Sequence, residues 1–204
     1  MSGLSREKVQ AYWDKRAAKQ GARTVGFSHG NTGLQDKRFA IRYEFVRPFL
    51  SPYVKTVDYG CGIGRWLPQF GFDYIGLDIT KALLDIARER FPTFTFIHLQ
   101  EPTLRGAGEK QALLKDMEQF FTATVLQHCD DELVRDIFSS VAALKGGGIK
   151  FVFYENSQVK SGHVNGRKPE VYVELLAEFY DVRDVQHATH KIHGEGHSVT
   201  WIET

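Results

Sequence analysis

Seven consecutive residues, Asp58-Tyr59-Gly60-Cys61-Gly62-Ile63-Gly64, carry the densest chemical signal in the chain. Glycines at alternate positions let a chain turn sharply, admit a ligand to its backbone and set a helix start against a strand. An acid stands two residues ahead of the first of them. A dinucleotide-binding turn would put its third glycine or alanine at position 65, which is Arg65; here it falls at Gly64. Further on, Gly76-Leu77-Asp78-Ile79 closes a second apolar run with a carboxylate. Such a group can accept hydrogen bonds from both hydroxyls of a ribose, or can simply sit beside a helix N-cap.

These residues must be delivered by strands and turns. Val54 to Tyr59 reads as a short strand running into the glycines, Trp66 to Phe70 as helical, and Tyr74 to Ile79 as the next strand. In TKALLDIARERF the residues Leu83, Leu84, Ile86, Ala87 and Phe91 recur at helical spacing, with Thr80 as N-cap and Pro92 as stop. TFTFIHL and EQFFTATVL read as third and fourth strands. DDELVRDIFSSVAAL reads as a helix closed by Lys145-Gly146-Gly147-Gly148, and IKFVFYE as a fifth strand buried on both faces. PEVYVELLAEFY is a helix with Pro169 in its first turn; two strands joined around Gly194-Glu195-Gly196 follow. At the start, residues 5–20 form a helix capped by Ser5. A glycine-rich loop (Gly21, Gly26, Gly30, Gly33) leads to a second helix near 34–47, stopped by Pro48. This alternation predicts a mostly parallel sheet with right-handed crossovers, an antiparallel closing hairpin, and ligands at the carboxyl ends of the strands.

Strand, acid, GxGxG and helix together resemble the first motif of the class I S-adenosylmethionine (SAM)-dependent methyltransferases. The resemblance implies that Asp58 helps position the ligand while Gly60, Cys61, Gly62 and Gly64 lie against its methionine part. Asp78 would then hold the ribose and Ile79 would pack on the adenine. Many members end the third strand with an Asp that accepts from the adenine amino group; this chain has Gln100, with Glu101 as the other candidate. Thr122-Ala123-Thr124-Val125-Leu126-Gln127-His128, followed by an acidic helix start and LKGGG, is similar to the small-molecule branch, and Thr122 is a further cofactor contact by that analogy. Tyr12-Trp13-Asp14-Lys15-Arg16-Ala17 resembles the lid helix of that branch, where Tyr12 and Arg16, four apart on one face, would reach the methionine carboxylate. The implied fold is α/β: a Rossmann-like, seven-stranded, mostly parallel sheet with a C-terminal antiparallel hairpin and an N-terminal helical lid. A single domain spans 1–204, with residues 1–50 as lid and 51–204 as core.

Methyl transfer from SAM, which leaves S-adenosylhomocysteine (SAH), needs alignment and sometimes a base. Candidates at the strand ends are His128, Tyr154 and Glu155, with His163 in the loop QVKSGHVNGRKPE; His128, Glu155 and His163 are taken as catalytic. Arg167 with Lys168 could hold an anionic group or be surface charge. Cys129 lacks the preceding proline of a cytosine-methylating nucleophile, and the Asn/Asp-Pro-Pro-aromatic stretch of amino-methylating DNA enzymes is absent. His187, His190, His193 and His197 do not share a face of one strand, which argues against a metal.

A formal net charge of +1 is no nucleic-acid signature, although the first 50 residues hold ten Lys/Arg against four Asp/Glu. The expected partner is a small-molecule methyl acceptor. The alternatives are a nucleic-acid methyltransferase and a non-catalytic SAM-binding subunit. Apolar runs are too short for a membrane span, MSGLSREKVQ has no signal-peptide core, and Cys61 and Cys129 form no CxxC pair. A cytoplasmic protein is expected; the oligomeric state has no sequence signal.

Overall fold

The computed structural model describes residues 3–21, 32–71, 73–161, 163–192 and 195–204. Gly26, Gly30, His193 and Gly194 lie outside the described residues. Two helices, α1 (Arg6–Gln20) and α2 (Thr32–Val46), precede the strands β1 (Thr56–Tyr59), β2 (Tyr74–Asp78), β3 (Thr95–His98), β4 (Gln119–Ala123) and β5 (Lys150–Asn156). Helix α3 (Lys81–Arg90) links β2 to β3, and α4 (Asp131–Leu144) links β4 to β5. A two-residue pair, β6 (Lys160–Ser161) and β7 (Val164–Asn165), then leads to α5 (Pro169–Ala177), β8 (Asp184–Ile192) and β9 (Glu195–Glu203).

Seven strands form one sheet in the order β3-β2-β1-β4-β5-β9-β8. The pairings among β1 to β5 are parallel, while β9 runs antiparallel to both β5 and β8. The expected antiparallel hairpin is therefore present, with a difference. The reversed strand β9 lies one place in from the edge, and β8 is the edge.

Alternation along the strands builds two layers. Phe120, Phe151 and Phe153 pack with Phe138 of α4 and Tyr172 of α5, whereas Phe121, Val152 and Tyr154 pack with Val46 of α2 and Leu84 of α3. Some elements differ from expectation. The Trp66–Phe70 segment is only a 3₁₀ turn, Leu67–Gln69, with Pro68 in it. A run of 3₁₀ turns over Leu104–Leu114, broken at Gly108, and the β6–β7 pair were not anticipated. Ser5 precedes α1 but its hydroxyl bonds Glu7 Oε2 at 2.7 Å rather than a backbone N–H. Asp130 does cap α4, accepting from Leu133 N at 2.9 Å.

Candidate active site

The carboxyl ends of the strands open into a cavity of about 770 Å³, in the upper part of the range of small-molecule sites (roughly 300–1,000 Å³). Its floor on one side is the turn after β1. Gly60, Gly62 and Gly64 all have positive φ, at 76°, 56° and 72°. At Gly60 a Cβ would stand 2.4 Å from Val125 Cγ2, so this turn and the segment leaving β4 are in direct contact. Gly60 and Cys61 line the cavity; Gly62 and Gly64 do not.

Asp78 ends β2 on the cavity wall, 8% exposed. Its Oδ2 accepts from Gly62 N at 2.9 Å and its Oδ1 from Thr80 N at 2.7 Å. Each bond uses one lone pair of its oxygen, so the carboxylate retains acceptor capacity toward the cavity, enough for a vicinal diol. Burial raises its pKa while those two N–H groups hold it down. The sequence left Asp78 either as ligand contact or as N-cap neighbour; it bonds the turn at the start of α3 and faces the cavity as well. Ile79, Leu83 and Leu99 add an apolar wall beside it.

Asp58 stands behind the turn. Its Oδ2 accepts from Tyr74 Oη at 2.7 Å, and it does not line the cavity. Desolvation pushes its carboxyl up to about 7. Asp58 therefore braces β1 against β2 rather than touching a ligand. Gln100 is exposed, its Nε2 bonded to His98 Nδ1 at 3.0 Å, and Glu101 pairs with Arg6 and Arg105. Neither candidate for the adenine contact lines the cavity; Leu99 and Pro102 do. Thr122 is also off the wall, because alternation in β4 turns it away from the side of Ala123. The residue presented there is Thr124, held at φ 60°, a rare conformation for a β-branched side chain and one that clusters at functional sites.

Of the three catalytic candidates, Glu155 is corrected outright. Fully buried, it accepts from Val125 N (3.1 Å) and Leu126 N (3.0 Å) through Oε1 and from Gln127 N (3.1 Å) through Oε2. Burial pushes its carboxyl up to about 7 against those N–H groups and Arg167. It fixes the 3₁₀ turn Leu126–His128 and is not on the cavity wall. Arg167 clamps the same turn from outside, donating to Leu126 O (2.9 Å), Cys129 O (2.7 Å) and Asp131 Oδ1 (2.8 Å). It is 4% exposed, so neither reading offered by the sequence, anion site or surface charge, describes it.

His128 lines the cavity with both ring nitrogens engaged. Gln127 Oε1 accepts from Asn156 N, which turns Gln127 Nε2 toward His128 Nε2 at 3.3 Å. Nδ1 therefore carries the proton and donates to His163 O at 3.0 Å. Desolvation lowers its pKa to about 4, so the ring is neutral and a weak base. His163, half-buried and also lowered by burial, lines the cavity and stacks on His128 (5.4 Å between centroids).

Helix α1 lies over these rings. Tyr12 stacks on His163 (5.2 Å), Trp13 meets His128 edge-on (5.0 Å), and Arg16 Nη1 donates to Tyr12 Oη at 2.9 Å. Arg16 lines the cavity and Tyr12 does not. Leu4 bridges to Cys129 and accepts from Asp130 N, which ties the start of α1 to the β4 exit. The thiol of Cys129, pushed by burial to about 12, is inert as a nucleophile. In the tail, His187 does point elsewhere, but the hairpin register sets His190 directly opposite His197, so those two share a face. They stack with Phe45 and Tyr154, and among the described residues no three metal-ligating side chains cluster.

No protein-family model matches the chain, and no curated protein does. Solved structures do. A SAM-dependent methyltransferase from Anabaena variabilis superposes with a TM-score of 0.67 at 16% identity, over 96% of this chain and 94% of that one. The fold is that of the SAM-dependent methyltransferases. The magnesium protoporphyrin IX methyltransferase of Synechocystis with bound SAH shares that fold at a TM-score of 0.67 and 13% identity, over 97% of this chain and 99% of that one. Phosphoethanolamine N-methyltransferase 1 of Haemonchus contortus, in complex with phosphoethanolamine and SAH, gives 0.65 at 15% identity, over 97% of this chain and 49% of that one.

Proposed function

We propose that the protein transfers a methyl group from SAM to a small-molecule acceptor. One observation carries the reading: a carboxylate, Asp78, held by two backbone N–H groups on a cavity wall beside a turn whose three glycines all have positive φ. When bound, SAM supplies an electrophilic methyl group. Gly60 and Cys61 would lie along its methionine part, Asp78 would accept from its ribose hydroxyls, and Ile79, Leu83 and Leu99 would flank its adenine. Arg16 would face its carboxylate from the lid. The neighbours crystallised with SAH support this reading, and two are described by small-molecule substrates.

His163 is the base in this reading where the acceptor must lose a proton, since Glu155 is walled off and His128 is engaged. Residues 1–50 act as the lid and 51–204 as the core of one domain. Among the described residues no helix is long and apolar enough to cross a membrane, and both cysteines are buried and unpaired, which supports a cytoplasmic assignment. The test is calorimetric titration of SAM, SAH and NADH into the wild type and Asp78→Ala. Micromolar SAM and SAH binding, weakened ten- to a hundredfold by the substitution, is expected, with none for NADH. NADH binding, or SAH binding indifferent to Asp78, refutes it.

A further inference from the structure

Away from the glycine turn the cavity changes character. Tyr154 and Asn156 at the end of β5, with His197 of β9 in register with Asn156, form its floor. Phe39 and Arg42 of α2 and Arg65 and Trp66 from the turn after β1 wall it in. The rings form a continuous apolar lining: Phe39 meets Trp66 edge-on at 4.9 Å, and Tyr154 stacks on His197 at 5.4 Å. Arg16 and Lys19 of α1 extend the same cavity, so four cationic side chains line it. The only carboxylate on its wall, among the described residues, is Asp78. Asp78 ends β2, four strand spacings from β9, about 19 Å away at ~4.8 Å per strand. It is therefore out of reach of a side chain that lies over β9.

Arg42 is the decisive group. Its side chain is half-buried, its Nε is fully shielded and has no hydrogen-bond partner, and no carboxylate lies within 4.0 Å of it among the described residues. What surrounds the guanidinium is Tyr154, His190 and His197. Burial and this cation lower both histidines, His197 to about 4, so they stay neutral; Arg42 also opposes the upward push of burial on Tyr154. A half-buried guanidinium on the cavity wall, set among neutral groups and against the Tyr154 hydroxyl, is placed to take an anion from the cavity.

We propose that the methyl acceptor is a small organic anion with an apolar body: its carboxylate, phosphate or phosphonate pairs with Arg42, and its body lies among Phe39, Trp66 and Tyr154. A planar fork matches such groups bidentately. The proposal deepens the methyltransferase reading and rests on it. Its test is a two-step titration on the whole protein. SAH is titrated first, which tests the methyltransferase reading alone. Phenylacetate, benzylphosphonate, inorganic phosphate and neutral phenylacetamide are then titrated into SAH-saturated wild type, Arg42→Gln and Arg42→Lys.

At least one aromatic anion should bind tenfold or more tightly than the amide, with affinity falling as salt rises. Arg42→Gln should abolish that preference with SAH affinity unchanged within twofold, and Arg42→Lys should restore part of it. The better of carboxylate and phosphonate identifies the anionic group. If the amide binds as well as the anions, no anion binds, the preference survives in Arg42→Gln, or that variant weakens SAH as much as the anion, the assignment is overturned. Anion binding that depends on Arg42 in a protein that does not take SAH would leave the anion site standing and remove the methyltransferase reading.

Discussion

Replacing Gly60 by alanine isolates what the glycine turn contributes. Two costs arise. The backbone at φ 76° places an L-residue in a region disfavoured by roughly 1–2 kcal/mol, and the new Cβ would stand 2.4 Å from Val125 Cγ2, an overpacking worth about 1–3 kcal/mol. Alanine recovers about 0.4–1 kcal/mol through a less entropic unfolded chain, leaving a net loss of roughly 1–4.5 kcal/mol. Gly148 is the matched control, with φ 65° and nothing within 4 Å of its would-be Cβ. Gly148→Ala bears the backbone cost alone, about 0–1.5 kcal/mol after the same recovery. Urea unfolding at pH 7 reads both, and with a slope of about 2 kcal/mol/M the Gly60 midpoint should fall by roughly 0.5–2 M. Adding Val125→Ala to Gly60→Ala should return part of the loss as a coupling energy, because the two side chains meet. SAH affinity should fall in Gly60→Ala and not in Gly148→Ala. Equal destabilisation by the two glycine replacements would refute the claim that the turn is packed against the β4 exit.

Two further substitutions separate bracing from chemistry. Glu155→Ala leaves the N–H groups of Val125, Leu126 and Gln127, the last two of them buried, without their acceptor and should destabilise by at least ~2 kcal/mol in the same unfolding assay; a general base would lose activity with stability intact. For Asp58, burial raises the carboxyl from 3.8 to about 7, so between those pH values the folded chain keeps a proton that the unfolded chain has released. Its contribution is complete below pH 3.8 and is lost as pH rises toward 7, on the order of 4 kcal/mol in all. Asp58→Asn, which still accepts from Tyr74, should lack that decline: its midpoint relative to wild type should be higher at pH 8 than at pH 5, and a constant difference would sink the assignment.

Where local pattern determines structure, the sequence was legible. The 3.6-residue spacing of Leu83, Leu84 and Ala87 gave α3, and the apolar runs gave the five parallel strands, because each signal lies within one element. Strand order was hidden, since the insertion of β9 between β5 and β8 is a pairing between distant segments. The Leu104–Leu114 turns carry no apolar period, and β6 and β7, two residues each, are too short to show one. Within the site, Asp78 and the glycines could be found because their spacing is the signal. Glu155 was misread although a signal existed: period two sends it to the face opposite Tyr154, away from the cavity. Arg42 could not have been singled out, for its meaning comes only from how α2 docks on β5 and β9. Thr124 stands out only in the structure, by a backbone angle that its residue type disfavours.

The placement of β9 also bears on the order in which the sheet can assemble. β8 touches the sheet only through β9, and the two meet at Ile192 and Glu195, whereas β9 reaches β5 through pairs as remote as Lys150 with Glu203. A hairpin closes in microseconds, while distant segments must first meet the entropy of a large loop. Contact order favours docking of the hairpin as a unit, and until it docks β5, which carries Phe151, Val152, Phe153 and Tyr154, is the open edge strand. An uncovered apolar edge of this kind is where two nascent chains would adhere to each other, and the speed of hairpin docking sets how long each chain is at risk.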